Sequence, residues 1–295
     1  MSERDDSGQL GLQTAAARAQ PIGDRIRRHY ARDGVSDVYS TLGAIDGSGL
    51  SIGNSDFVGW YRTRDAPGGG EGRPWALSEE WGRLRQDVDR VVYATISYAA
   101  RDWFIDAWQR YRWAGDGESR SREWDDGSSP TPDYTDLTAY APFADIDLAD
   151  DVKTDRPAGD IPREPVEQAL GRYIDAFADL AGGREHVFAL DSVGGAYVFV
   201  APTSTAPIAE RFPPEKRQVI CSAMMDKLTA WLGDVRDEIT ADIPATEGVF
   251  APDKLNNKNR LFKAPLSVHS SLDGVVTPVD TDTPRYEYTP LAAVD

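Results

Sequence analysis

Three observations in this sequence predict a mixed fold of the α/β or α+β class. Short runs rich in Val, Phe and Tyr alternate with longer amphipathic stretches. Gly and Pro pairs punctuate the joints, at Gly182-Gly183, Gly194-Gly195 and Pro213-Pro214. An apolar content of 40% over 295 residues is enough to build one large domain or two modest ones, and there is no internal repeat.

Taken in order, residues 1–20 are polar and Ala/Gln-rich and read as loose or disordered chain. Residues 1–80 as a whole read as an accessory region, with a flexible loop at Pro67-Gly68-Gly69-Gly70. Ser78 can cap a long helix whose apolar positions include Trp81, Leu84, Val88, Val91, Val92, Thr95, Tyr98, Ala99, Trp103 and Ala107. Its end, Trp108-Gln109-Arg110-Tyr111-Arg112-Trp113, is aromatic and basic. Residues 114–135 are Gly, Ser, Asp and Pro-rich and read as a surface loop. Tyr140 to Leu148 reads as a strand. Ala149 to Pro165 is polar with three prolines and reads as a loop.

Pro165 opens a helix that runs through Leu180 and stops at Gly182-Gly183. His186 to Leu190 and Ala196 to Val200 read as strands joined by a turn at Ser192-Val193-Gly194-Gly195. Pro213-Pro214 precedes a second long helix over 215–240. A strand near 248–252 follows, then a basic loop and Pro265-Leu266-Ser267-Val268-His269. After Pro278 the chain reads as an irregular tail.

The charge sets a puzzle. There are 49 acidic against 32 basic residues, a net charge of −17 and an isoelectric point near 4.6. Such a surface repels phosphate backbones. Yet only six of the basic residues are lysine. An acidic, lysine-poor, Ala/Gly/Asp-rich composition resembles that of proteins from salt-loving archaea. In concentrated salt the Debye length falls to ~3 Å, so long-range repulsion counts for little and local contacts still act. The charge is therefore read as adaptation to solvent, and it leaves nucleic acid open as a partner.

Cys221 is the one cysteine, which excludes an internal disulfide and a Cys-cluster zinc site within this chain. The start, Met-Ser-Glu-Arg-Asp-Asp, has no apolar run behind it, and no stretch reaches membrane-spanning length. A cytoplasmic location and no membrane partner are expected.

Three segments carry chemistry. In Phe143-Ala144-Asp145-Ile146-Asp147-Leu148 the two carboxylates lie two apart on a strand and so share a face, along with Phe143. Ala144, Ile146 and Leu148 face the core. Paired carboxylates repel each other unless a cation lies between them. An acidic surface strand is the simpler reading in so acidic a chain, and Asp150 and Asp151 look like solvated charge.

The second segment starts at Asp253. Lys254, Lys258, Arg260 and Lys263 follow within a short stretch holding half the lysines of the chain, a pattern suited to phosphate. It ends in Ser267-x-His269. The other histidines, His29 and His186, read as structural. The third segment, Asp191-Ser192-Val193-Gly194-Gly195-Ala196-Tyr197, is a glycine turn that would let backbone approach a ligand closely, or a plain hairpin.

The order of these segments resembles the catalytic motifs of the archaeo-eukaryotic primase superfamily, over roughly residues 85–280. The most specific part is Leu261-Phe262-Lys263-Ala264-Pro265-Leu266-Ser267-Val268-His269, with Gly274 and Pro278 beyond. In that family a hydrophobic-basic-x-Pro-x-Ser-x-His run follows a metal-binding Asp, here Asp253 after Val249-Phe250-Ala251. The middle segment departs from the family. It keeps Ser192 and Gly195, with Gly194 beside them, but has Tyr197 where a His is expected and no Arg. Either Arg260 or Lys258 compensates, or the activity is weak or absent.

The resemblance implies an α/β unit joined to an RRM-like unit, with the site between them, and a catalytic domain over 81–285 with a tail at 286–295. It implies template-directed nucleotidyl transfer, as in a primase or primase-polymerase of a haloarchaeon or its plasmid or virus. Asp145, Asp147 and Asp253 would bind two Mg2+ or Mn2+ ions. Lys263, Ser267, His269 and Arg260, with Ser192, Gly194, Gly195 and Tyr197, would contact the nucleoside triphosphate. The zinc knuckle of many family members is not expected. Single-stranded DNA template, and a large primase subunit or a helicase, are the implied partners. Trp108, Tyr111 and Trp113 could stack on template, although a core edge fits them better. Two alternatives stand beside this: a catalytically degenerate nucleic-acid-binding protein of the same fold, and another metal-dependent nucleotidyltransferase or nuclease.

Overall fold

The computed structural model describes residues 142–159, 161–200, 212–253, 261–269 and 271–291. It also describes 22–32, 34–35 and the short strands at 57–58, 61–63, 92–95, 97–100 and 137–140. In chain order the elements are α1 (Ile22–Ala31), β1 (Phe57–Val58), β2 (Tyr61–Thr63), β3 (Val92–Thr95), β4 (Ser97–Ala100), β5 (Leu137–Tyr140), β6 (Phe143–Leu148) and α2 (Asp150–Asp155). There follow α3 (Arg163–Ala181), β7 (Val187–Asp191), β8 (Gly195–Val200), α4 (Pro214–Asp242), β9 (Phe250–Pro252), β10 (Leu261–Lys263) and β11 (Thr277–Val279).

The central sheet is antiparallel and has five strands in the order β11-β7-β8-β6-β9. Without the added β11, its chain order is β6-α3-β7-β8-α4-β9, a β-α-β-β-α-β unit of ferredoxin-like pattern. The first strand, β6, lies between the third and the last. The class is therefore mixed, with helices against an antiparallel sheet. There are two further sheets of three strands among the described residues, β1-β4-β5 and β10-β3-β2.

The helices follow from their stripes. In α3, Val166, Ala169, Leu170, Tyr173, Ile174, Phe177 and Ala178 are buried, recurring at three and four residues, and they cover β7 and β8. Gly182 ends the helix in the left-handed region at φ 82°. The 29-residue α4 buries Met225, Leu228, Leu232, Val235 and Ile239 and packs on α3 and β9. Beneath them, Ala144, Ile146 and Leu148 of β6 are buried, as the alternation along that strand predicts.

The opposite face of the sheet carries the polar positions of β6. At one end of it Phe143 is not open to solvent. It packs with Tyr197 and Phe199 of β8 and with Phe262 of β10, which belongs to a neighbouring sheet. This aromatic cluster joins the two sheets and leaves Asp145 and Asp147 beyond its edge.

Three expectations are corrected, and a fourth in part. The helix predicted from Ser78 contains strands β3 and β4 instead. Val92, Tyr93, Thr95 and Tyr98 favour a pleated backbone, which outweighs their helical spacing. The single strand over Tyr140–Leu148 is two strands in two sheets, divided at Pro142. The segment Ala149–Pro165 is not simply a loop: it forms α2 and a 3-10 turn at Arg156–Ala158. Beyond β11 the chain is irregular, as predicted, but it is packed down rather than trailing, with Tyr286 and Leu291 buried. The remainder of the predicted long helix, the aromatic-basic run 108–113, the loop 114–135 and the glycine loop at 67–70 lie outside the described residues.

Candidate functional site

Asp145 and Asp147 project from β6 on its non-helical face, and Asp253 follows β9, the neighbouring strand. The Asp253 N–H donates to the Asp145 carbonyl at 2.7 Å, which fixes the third carboxylate beside the first two. One carboxylate oxygen from each of the three lies within 4.8 Å of the others. Asp145 and Asp253 are half-buried and Asp147 is exposed. Three oxygen donors at this spacing fit a hard divalent cation such as Mg2+ or Mn2+.

Close approach of β8 to β6 shapes the floor. Gly195 faces Asp147 in the ladder, and a Cβ there would stand 2.0 Å from the Ile146 carbonyl oxygen. Only glycine fits. Tyr197, two residues on, is opposite Asp145. Its phenol is buried and accepts from Lys263 Nζ at 3.0 Å and from the Lys263 N–H at 3.3 Å. Burial pushes that phenol up, and Lys263 pulls it the other way. Tyr197 is thus the anchor of Lys263 and holds that ammonium at the Asp145 end of the carboxylate row.

The turn between β7 and β8 is held under strain. Val193 has φ 71°, a left-handed conformation that a β-branched residue rarely adopts. Its carbonyl accepts from Arg156, and its N–H donates to Asp191 Oδ1 at 2.7 Å. Arg156 itself is 1% exposed. It forms a two-pronged pair with Asp191, one prong at 2.7 Å, and its guanidinium lies 3.8 Å from the Tyr286 ring centroid. Desolvation pushes the Asp191 carboxyl up against the pull of Arg156 and the Val193 amide.

The His269 loop has a matching device. Leu266 has φ 61°, and its carbonyl accepts from His29 Nε2 at 2.7 Å. Tyr30 Oη accepts from the Val268 N–H at 2.9 Å and lies 3.4 Å from Ser267 Oγ, while Arg25 pairs with Asp273 at 3.1 Å. All three props come from α1, in the region read as accessory. His269 is 6% exposed. Its Nδ1 accepts from the Ser271 and Leu272 N–H groups at 3.1 Å each, so the neutral ring carries its proton on Nε2. That atom points at Gly194: a Cβ on this glycine would lie 3.2 Å from it.

The structure therefore brings Asp145, Asp147, Asp253, Gly194, Gly195, Tyr197, Lys263 and His269 to one region. Ser192 is buried in the turn, its N–H donating to the Gly195 carbonyl at 2.8 Å. Ser267 is fully buried, with its hydroxyl against Tyr30 and the Val268 carbonyl. Arg260, Lys254 and Lys258 lie outside the described residues. His29 is a buried prop, and His186 is half-buried in the 3-10 turn just before β7.

Sequence reasoning missed two residues. Arg156 sat in a stretch read as polar loop. Lys153, also in it, lies over the Gly194 turn with Nζ 3.8 Å from Asp147 Oδ1. Asp191, the partner of Arg156, lies 35 residues away and gives no local signal. Among the described residues no helix is long and apolar enough to cross a membrane. No family model matches this sequence, and no curated protein matches it.

Proposed function

We propose that this protein is a nucleotidyltransferase of the primase or primase-polymerase kind, which extends a strand on a single-stranded DNA template. The observation that carries the reading is the meeting of three carboxylates within 4.8 Å with Lys263 and His269 from the one segment that most resembles the family. The β-α-β-β-α-β order, with its paired aspartates on the first strand, also supports it, because an RRM-like unit has that topology.

Asp145, Asp147 and Asp253 would hold Mg2+ or Mn2+. Two such ions, when bound, would activate the primer 3′-hydroxyl and neutralise charge on the triphosphate. The chain supplies positioning and charge for the rest. Lys263, aimed by the Tyr197 phenol, and His269, through Nε2–H, donate toward phosphate oxygens. Gly194 gives backbone close approach. The buried Ser267 hydroxyl serves the loop rather than the triphosphate. A large subunit or a helicase fits the reading as a partner, and so does a cytoplasmic site of action.

Manganese titration followed by primer synthesis on single-stranded template, in concentrated potassium chloride, tests the proposal. Wild type should bind manganese and make template-dependent product, and Asp145→Ala/Asp147→Ala should do neither. Wild type that binds manganese and cleaves the template instead would move the assignment to a nuclease. One observation favours the second reading, a binding protein without activity: both Tyr197 and Ser267, expected at the triphosphate, have buried hydroxyls committed within the protein. Template bound with no product from wild type would shift the assignment to that reading or to an enzyme missing its partner.

A further inference from the structure

Lysine is scarce here, and Lys153 is the one lysine of α2, directly after the aspartate strand. Its Nζ lies 3.8 Å from Asp147 Oδ1 and 3.5 Å from Asp150 Oδ1. Both separations are long for a hydrogen bond, so neither carboxylate fixes the ammonium. The stem lies over the Gly194 turn. Its Cδ and Cε each lie 3.2 Å from the point where a Gly194 Cβ would be, and His269 Nε2 lies 3.2 Å from the same point. A side chain at 194 would separate the two groups. Its absence lets an ammonium and an imidazole N–H flank one glycine, next to Asp147.

We propose that Lys153, with His269 and the Gly194 turn, forms an anion subsite that takes the phosphate chain of the substrate. The assignment rests on the nucleotidyl-transfer reading and names a residue that the resemblance does not. The middle segment lacks the positive charge expected there, since Tyr197 carries none and is spent on holding Lys263. Lys153 restores a cation to that place from a different element. A phosphate oxygen there would accept from Nζ and from Nε2–H while metal held by Asp147 meets the same chain. The partly covered position suits a chain that works in salt, because a half-buried charge is screened less than an exposed one.

The simpler role for Lys153 is to neutralise Asp147 and Asp150, and the experiment separates the two. Lys153→Met keeps the stem over Gly194 and removes the charge, and Lys153→Arg keeps both. Calorimetric titrations of the full chain would use manganese alone, then ATP and inorganic tripolyphosphate with manganese present. Lys153→Met should bind manganese as tightly as wild type or more tightly, because Asp147 loses a competing cation. Its affinity for ATP and for tripolyphosphate should fall by roughly tenfold or more, the scale of one charge-assisted contact. Lys153→Arg should recover most of it. Tighter manganese binding with unchanged ATP and tripolyphosphate affinity would overturn the subsite and leave nucleotidyl transfer standing. Wild type that binds neither manganese nor ATP would overturn both.

Discussion

Replacing Gly195 with alanine would put a methyl carbon 2.0 Å from the Ile146 carbonyl oxygen and 3.0 Å from the Asp147 Cα. Real Cβ contacts essentially never fall below 3.0 Å, so β8 and β6 would have to part by about 1 Å at this pair. Both opposing atoms are backbone, and no rotamer relieves the clash. Overpacking of this sort costs ~1–3 kcal/mol, and each ladder hydrogen bond stretched beside it adds ~1 kcal/mol. A loss of about 2–4 kcal/mol is therefore expected. The site should suffer as well, because Asp147 is the ladder partner of Gly195 and one of three carboxylates gathered within 4.8 Å. Guanidinium chloride denaturation in concentrated potassium chloride measures the first effect, and manganese titration of the folded variant the second. The midpoint should fall clearly, and manganese affinity should drop by roughly tenfold, in line with the sensitivity of such sites to displacements near 1 Å. A Gly195→Ala protein with wild-type stability and wild-type manganese affinity would refute the close approach of β8 to β6 as the base of the site.

Gly194→Ala should behave differently, since its neighbours at 3.2 Å are the Lys153 stem and His269 Nε2, which are side chains and can yield. Stability should change by less than ~1 kcal/mol while ATP affinity falls, read by denaturation and calorimetry on the same protein. Arg156→Met should cost ~3–5 kcal/mol, because it strands Asp191 buried and releases the Val193 carbonyl. Arg156→Met/Asp191→Leu should regain part of that loss in thermal denaturation, and a near-wild-type single variant would rule out the clamp. For His29, burial holds the imidazole below its ordinary value of 6.5, against the hydrogen bond to Leu266. The folded state therefore prefers the neutral ring. Its contribution is intact above about pH 6.5 and is lost as pH falls from there toward the folded value, at up to ~1.4 kcal/mol per pH unit. Between pH 7.5 and 5.5 the wild-type melting temperature should drop further than that of His29→Gln, and equal drops would show that His29 does not titrate in this window.

The elements that a sequence reveals are those whose partners lie close along the chain. The stripe of α3 and its Gly182 stop are local, and so is the alternation that puts Asp145 and Asp147 on one face of β6. The stretch around Val92–Ala100 satisfied a helical and a strand pattern at once. Pairing with β2, β10, β1 and β5 decided between them, and none of those partners is adjacent in sequence. Asp253 was legible through its following motif, but its place beside Asp145 comes from a hydrogen bond across strands. Lys153 and Arg156 look like solvated charge in sequence because they stand among Asp150, Asp151, Thr154 and Asp155, with Val152 the one apolar residue of α2. Only the folded chain turns one of them toward the Gly194 turn and buries the other under it. Ser267 shows the converse: its motif was visible, while its burial depends on Tyr30, far away in α1.

The two strained residues explain how such a site keeps its shape. Val193 and Leu266 both hold positive φ, at a cost of ~1–3 kcal/mol each. They lie in the two loops that carry Gly194 and His269. In each case the carbonyl of the strained residue accepts from a buried side chain on a remote element, Arg156 for Val193 and His29 for Leu266. The loops are thus set by the core and by α1, independently of anything that binds. A phosphate chain arriving there would meet donors already aimed, and little of its binding energy would go into ordering them. The same reasoning makes sense of Tyr197. A buried phenol cannot replace the charge of a histidine, but it can fix an ammonium, and it fixes Lys263. Under the proposed function, the positive charge missing from the middle segment would come from Lys153, beside the Lys263 that Tyr197 holds.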